Sequence, residues 1–369
     1  MAFEQARGIL DRAVADGAFP AAVAEVGTAA SVDWRYAVGR LTYDAEASPV
    51  SVHTVFDLAS LTKVLVSTTL AMQLVERGRL ELDDPVGRWL SCWRGDERTS
   101  VTVGDLLAHE GGLAGWLPLF ESCRGRVEFE AAIAALPLEY APRSQSVYSD
   151  LGFVLLGFIL EDAGGASLAT QLADRIVPTL TAAGPGDGWR GPAGARITGP
   201  PLLFNPPSAW RPIIAPTEVE PWRGRLLVGE VHDNNAWALG GEAGHAGLFG
   251  SAPAVGAFAR ALLRSLTPEG TAGPVLSSSG IVGRFTRRVG TPGSSRALGW
   301  DTMLPTSSCG TRLSARSVGH VGFTGTSLWI DLERAVYVVL LTNRVHPTSR
   351  NDAIRSVRPA FHDAVVADL

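Results

Sequence analysis

The chain opens with apolar residues at helical spacing, Phe3, Ala6, Ile9, Leu10 and Ala13, set between charged positions, which predicts an amphipathic helix over 3–14 closed off by Pro20. Two short β-rich runs follow at 22–27 and 34–39, separated by small residues, and predict an antiparallel pair. From Ser60 the period returns to that of a helix, with Val64, Leu65, Leu70, Met72 and Leu74 apolar, as far as about Glu76 and Gly78. Residues 79–265 read as mostly helical, without convincing strand pairs. A short helix over 102–109 is capped by Thr102 and stopped by Gly111 and Gly112, and longer ones cover 127–136 and 151–163. Between 184 and 221 the composition shifts to Pro, Gly and Trp with little periodicity, which predicts a long loop serving as a lid or one wall of a site. Helices return at 254–266 and 281–288. Strand-like runs then occupy 317–324, 327–331 and 335–342, before a closing helix over 351–366.

Strands at both ends with helices between them predict an α/β (α+β) fold: one antiparallel sheet assembled from N- and C-terminal strands and flanked by helices. On this reading residues 1–78 and 267–369 form the sheet region, 79–266 form an inserted, mostly helical region, and the active site lies between them.

A hydrophobic content of 46% supports a substantial buried core, and a net charge of −5 without a basic run gives no case for nucleic acid. The longest apolar run, 151–160, is too short to span a bilayer, and no secretory signal is visible, so a cytoplasmic protein that binds no membrane is expected; a periplasmic one follows only if a leader has been removed. Cys92, Cys123 and Cys309 are widely spaced and form neither a disulfide framework nor a metal pattern. No cofactor or metal is expected, and the composition leaves the oligomeric state open.

Basic composition changes the picture at one position. Of 32 Lys and Arg residues, Lys63 is the only lysine. Arginine stays protonated, whereas a buried ammonium can lose its proton and act as a base, and Ser60 lies three residues earlier on the same helix face. The spacing fits a nucleophile with its base. A serine N-cap followed by an ordinary exposed lysine is the alternative, which the uniqueness of Lys63 makes the weaker of the two.

Two further stretches decide between these readings: Tyr148-Ser149-Asp150 before a helix, and His320-Val321-Gly322-Phe323-Thr324-Gly325-Thr326 on a terminal strand. With Ser60 and Lys63 they resemble, in order and spacing, the Ser-x-x-Lys, Tyr-x-Asn and Lys-Thr-Gly motifs of the serine β-lactamase and penicillin-binding protein superfamily, most closely its class C branch. Stretches around His109, His232 and His245 are similar to that branch as well. The resemblance implies an acyl-enzyme on Ser60, with Lys63 as base, Tyr148 as proton relay and water activator, and an oxyanion hole made by the backbone N–H groups of Ser60 and Phe323. It further implies Asp150, His320, Gly322, Thr324 and His245 at the substrate.

The pattern departs from the family's in three ways. His320 stands where lysine is common, so the charge that holds a substrate carboxylate is weaker or depends on pH. Asp150 replaces an amide; it could support a protonated Lys63 or His320, or simply cap the following helix. No counterpart of the class A deacylating glutamate can be assigned. The expected activity is therefore hydrolysis of a small ester, amide or peptide. An acyltransferase or peptide cyclase, a D,D-carboxypeptidase or weak β-lactamase, and a non-catalytic binding protein of the same fold are the alternatives.

Overall fold

The structure, a computed structural model, describes residues 2–181, 201–267 and 275–369. Its strands in chain order are β1 (Ala21–Thr28), β2 (Val32–Gly39), β3 (Phe56–Asp57), β4 (Leu202–Phe204), β5 (Val219–Glu220) and β6 (Arg225–Leu226). There follow β7 (Leu248–Gly250), β8 (Asp301–Thr302), β9 (Ser317–Val321), β10 (Ser327–Asp331) and β11 (Val336–Thr342). Six of them form one antiparallel sheet in the order β2-β1-β11-β10-β9-β8, so the first hairpin pairs with the last strand, Ala22 opposite Thr342. The predicted sheet built from both ends of the chain is the one observed.

Every residue of β11 is buried, because both faces of the sheet are covered. Tyr337, Val339 and Leu341 pack with the Ala252–Ser265 helix in the main core, while Val338 and Leu340 pack with the Glu4–Ala15 and Ile354–Ala367 helices on the other side. Burial of each such Val or Leu contributes about 1.5–3 kcal/mol. The main core continues from this face into the helical region, through Leu65, Phe153 and Leu156.

The helical region is less purely helical than its pattern predicts. β3, β7 and β4 form a small sheet, and β5 and β6 form a ribbon. Strands of two or three residues are too short for a two-residue alternation to register in sequence. Of the Pro/Gly-rich stretch 184–221, the part up to 200 lies outside the described residues; the remainder holds β4, a 3₁₀ turn at Ser208–Ile213, and β5. The Asp150–Gly164 helix is apolar and buried on nearly all sides and packs against the Lys63–Thr68 segment. Its N-cap is Ser149, whose hydroxyl accepts from Gly152 N, which leaves the Asp150 side chain free for another role. Among the described residues no single helix is long and apolar enough to cross a membrane.

Candidate active site

Ser60 sits on a turn just before the helix that begins at Leu61 and continues as the π-helical segment Lys63–Thr68, and its side chain caps nothing. Ala59 before it has φ 47°, a left-handed conformation costly for a residue with a Cβ. Several contacts hold it there. Asp57 Oδ1 accepts from Ala59 N at 2.8 Å, and Thr62 Oγ1 donates to Ala59 O at 2.6 Å. From the β9–β10 hairpin, Thr324 Oγ1 donates to Asp57 O at 2.7 Å and Thr326 Oγ1 to Leu58 O at 3.0 Å. The backbone N–H groups of Ser60 and Phe323 make no hydrogen bond to another described residue, so both are available to an incoming oxygen.

Lys63 is fully buried. Its Nζ donates to Ser60 Oγ at 2.8 Å, Asp150 Oδ1 at 2.7 Å and His245 O at 3.1 Å. Three acceptors match the three N–H bonds of an ammonium. The lowered pKa expected from burial alone is not found: burial does act downward, but Asp150 and Tyr148 outweigh it and the pKa is raised. The Tyr148 hydroxyl donates to Ser60 Oγ at 2.9 Å, and burial pushes its pKa up as well, with Asp150 adding to the rise and Lys63 opposing it. At neutral pH Ser60 Oγ therefore faces two donors. One proton must leave the coupled Lys63–Tyr148 pair before Ser60 can give up its own.

The Beta-lactamase family profile matches residues 6–360. The chain belongs to the Beta-lactamase family. Among curated relatives, a Salmonella gallinarum protein named for D-alanyl-D-alanine carboxypeptidase activity is 29% identical over 359 residues, spanning 87% of this chain and 77% of its own. The fold matches a penicillin-binding protein homologue from Caulobacter crescentus with a TM-score of 0.75 at 21% identity, covering 100% of this chain and 97% of that one. It also matches EstCE1, described as a hydrolase with promiscuous acyltransferase activity, with a TM-score of 0.71 at 19% identity and 98% coverage of both chains.

In this Beta-lactamase-family site two cavities meet at Ser60, of about 580 and 570 Å³. Asp150 and Phe323 border both, and His320 and Gly322 border the second. His320 is nearly fully buried and its Nδ1–H donates to Val321 O at 2.9 Å. Burial first, then Lys63 and Arg296, hold its pKa well below the usual imidazole value, so it supplies no positive charge at neutral pH. Two residues expected at the substrate are placed elsewhere. Thr324 is buried with its hydroxyl committed to the turn that carries Ser60, and the His245 ring is buried against Asp233, Nε2 to Oδ1 at 2.9 Å, with only its carbonyl reaching Lys63.

Residues that sequence reasoning left without a role also shape the site. Asp57 braces Ala59 and, through Oδ2, the N–H of His232 at 2.7 Å. His109 Nδ1 accepts from Ser149 N, and its ring lies 4.7 Å from that of Tyr148. The Arg296 guanidinium lies over the Tyr148 ring, 5.1 Å from its centre. His109 stood inside a stretch similar to the family's, Asp57 lies three residues before Ser60, and Arg296 carried no local signal at all.

Gly322 explains how the end of β9 reaches the Ser60 turn. A Cβ there would lie 2.6 Å from Leu58 O and 2.1 Å from Thr326 Oγ1, so it would push the strand off the turn it braces. Gly325, at φ 108°, plays the corresponding part in the hairpin. Gly322→Ala is expected to lose about 1–3 kcal/mol in urea unfolding, together with turnover at Ser60. Unchanged stability and rate would show that the turn and strand are not coupled.

Proposed function

We propose that the protein is a serine hydrolase that forms an acyl-enzyme on Ser60 and acts on a small ester, amide or peptide. The observation that carries this reading is Ser60 Oγ held at 2.8 Å from Lys63 Nζ and 2.9 Å from the Tyr148 hydroxyl. Once the Lys63–Tyr148 pair has lost a proton, Ser60 Oγ attacks the substrate carbonyl and passes its own proton to the pair. The new oxyanion is received by the N–H groups of Ser60 and Phe323. Tyr148 returns the proton to the leaving alkoxide or amine as the carbonyl re-forms. A water molecule then enters, gives a proton to Tyr148, attacks the ester on Ser60 and releases the acid, and Ser60 recovers its proton. His320 is neutral and so itself supplies no cation to a substrate carboxylate at this position.

The decisive test is intact-protein and peptide mass spectrometry after incubation with a fluorophosphonate, a panel of esters, penicillins and D-amino-acid peptides. A mass increase on the peptide containing Ser60 is expected with the fluorophosphonate and with at least one ester. Labelling at another residue, or none, refutes the proposal and leaves a binding protein of the same fold. Acyl transfer is supported by one feature, the two sizeable cavities that both open on Ser60 and leave room for an acyl donor and an acceptor together. Adding amines and alcohols and measuring the product ratio separates transfer from hydrolysis.

A further inference from the structure

The second cavity beside Ser60 is unusual in its charge. Ser60, Tyr148 and Gly322 border it together with Arg296, Arg344, Arg350, Arg355 and Arg358, and Arg296 lies over the Tyr148 ring. Three carboxylates also border it, Asp150, Asp301 and Asp352, and Asp150 is occupied by Lys63. Five guanidinium groups therefore face two remaining carboxylates.

Arg344 is committed to the backbone around it. It donates to Phe323 O, Ser349 O and Asn351 O, and its guanidinium lies over the Phe323 ring. Arg296 reaches Asp301 at 3.9 Å only. Arg358 differs from both. It is 6% exposed, has no carboxylate within ion-pair distance among the described residues, and donates from Nη2 to Thr326 O at 3.3 Å while its Nε has no partner. A buried cation without a counter-ion is costly, by several kcal/mol, unless something else supplies the anion. Burial and Arg344 lower its pKa to about 10, which leaves it charged at neutral pH. His320 adds a second unsatisfied atom in the same cavity. Since Nδ1–H is given to Val321 O, Nε2 is an acceptor with no partner, ready for an N–H or O–H.

We propose that this cavity is a subsite for a substrate arm carrying two negative charges, either two carboxylates or a phosphate, with a hydrogen-bond donor on the chain that links it to the scissile bond. Arg358 and Arg355, three residues apart on one face of the closing helix, supply the charge-assisted bonds, Arg350 adds charge at the exposed mouth, and His320 Nε2 takes the donor. The subsite deepens the reading of Ser60 as nucleophile, since it selects what is presented there.

Binding can be measured without catalysis. Titration calorimetry of the Ser60→Ala protein with glutarate, inorganic phosphate and acetate is expected to show glutarate or phosphate at least roughly tenfold tighter than acetate. The tighter of the two identifies the arm as dicarboxylate or phosphate. Arg358→Gln should weaken that dianion by roughly tenfold or more. The exposed Arg355→Gln, which disturbs no buried packing, should weaken it in the same direction. Equal binding of all three anions, or dianion binding unaffected by either arginine variant, overturns the inference. Dianion binding by a protein that no acylating probe labels would retire the nucleophile and keep the subsite; labelling of Ser60 without dianion preference would do the reverse.

Discussion

Ser60→Ala is expected to fold like the wild type and to lose about 10⁴–10⁶-fold in ester turnover, the scale on which removal of an acylated serine acts. Folding should survive because nothing structural hangs on the hydroxyl. Its hydrogen bonds run only to Lys63 and Tyr148, while the turn is held by Asp57, Thr62, Thr324 and Thr326. Lys63 keeps Asp150 and the His245 carbonyl, so no buried charge is stranded. Circular dichroism melts and initial rates with p-nitrophenyl acetate check both halves. A variant within tenfold of wild type would place the nucleophile elsewhere.

Lys63→Arg keeps the charge and the ion pair with Asp150 but removes the group able to give up a proton, and is expected to cost about 10²–10⁴-fold in the acylation rate. The pH profile sharpens the test. The Lys63 and Tyr148 pKa values both lie above their ordinary values, and the active form is the one that has lost a proton from the pair. Wild-type kcat/KM should therefore climb with pH through the alkaline range, whereas the arginine variant should show a lower, altered limb governed by Tyr148 alone. A larger side chain in a fully buried place will cost some stability, so the melt is recorded beside the rates. Retention of more than a tenth of wild-type activity would mean that the lone lysine is an accident of composition.

The meeting of Ser60, Lys63 and Tyr148 was legible because two of the three lie on one helical turn and the third announced itself through a second motif. The sheet was legible because β11 is a nearly continuous apolar run, which demands cover on both faces. Protonation was not. Spacing says that an ammonium is near a serine, while the direction of its pKa depends on Asp150, 87 residues away in sequence. Thr324 shows a related blind spot: a polar residue in a catalytic motif can serve the backbone of the Ser60 turn instead of the substrate. Arg355 and Arg358 carry no motif in sequence, and only the packing of the closing helix against the Glu4–Ala15 helix and β11 brings them to a cavity.

The bracing of the Ser60 turn has a temporal side. Ser60, Thr62 and Lys63 are translated early, but two of the three hydroxyls that pin the turn belong to Thr324 and Thr326, and the last strand to pair with β1 is β11. A growing chain thus carries Ser60 and Lys63 for more than two-thirds of its synthesis without the full frame that holds their turn. The Ser60 turn therefore gains its last braces only when the C-terminal strands have joined the sheet.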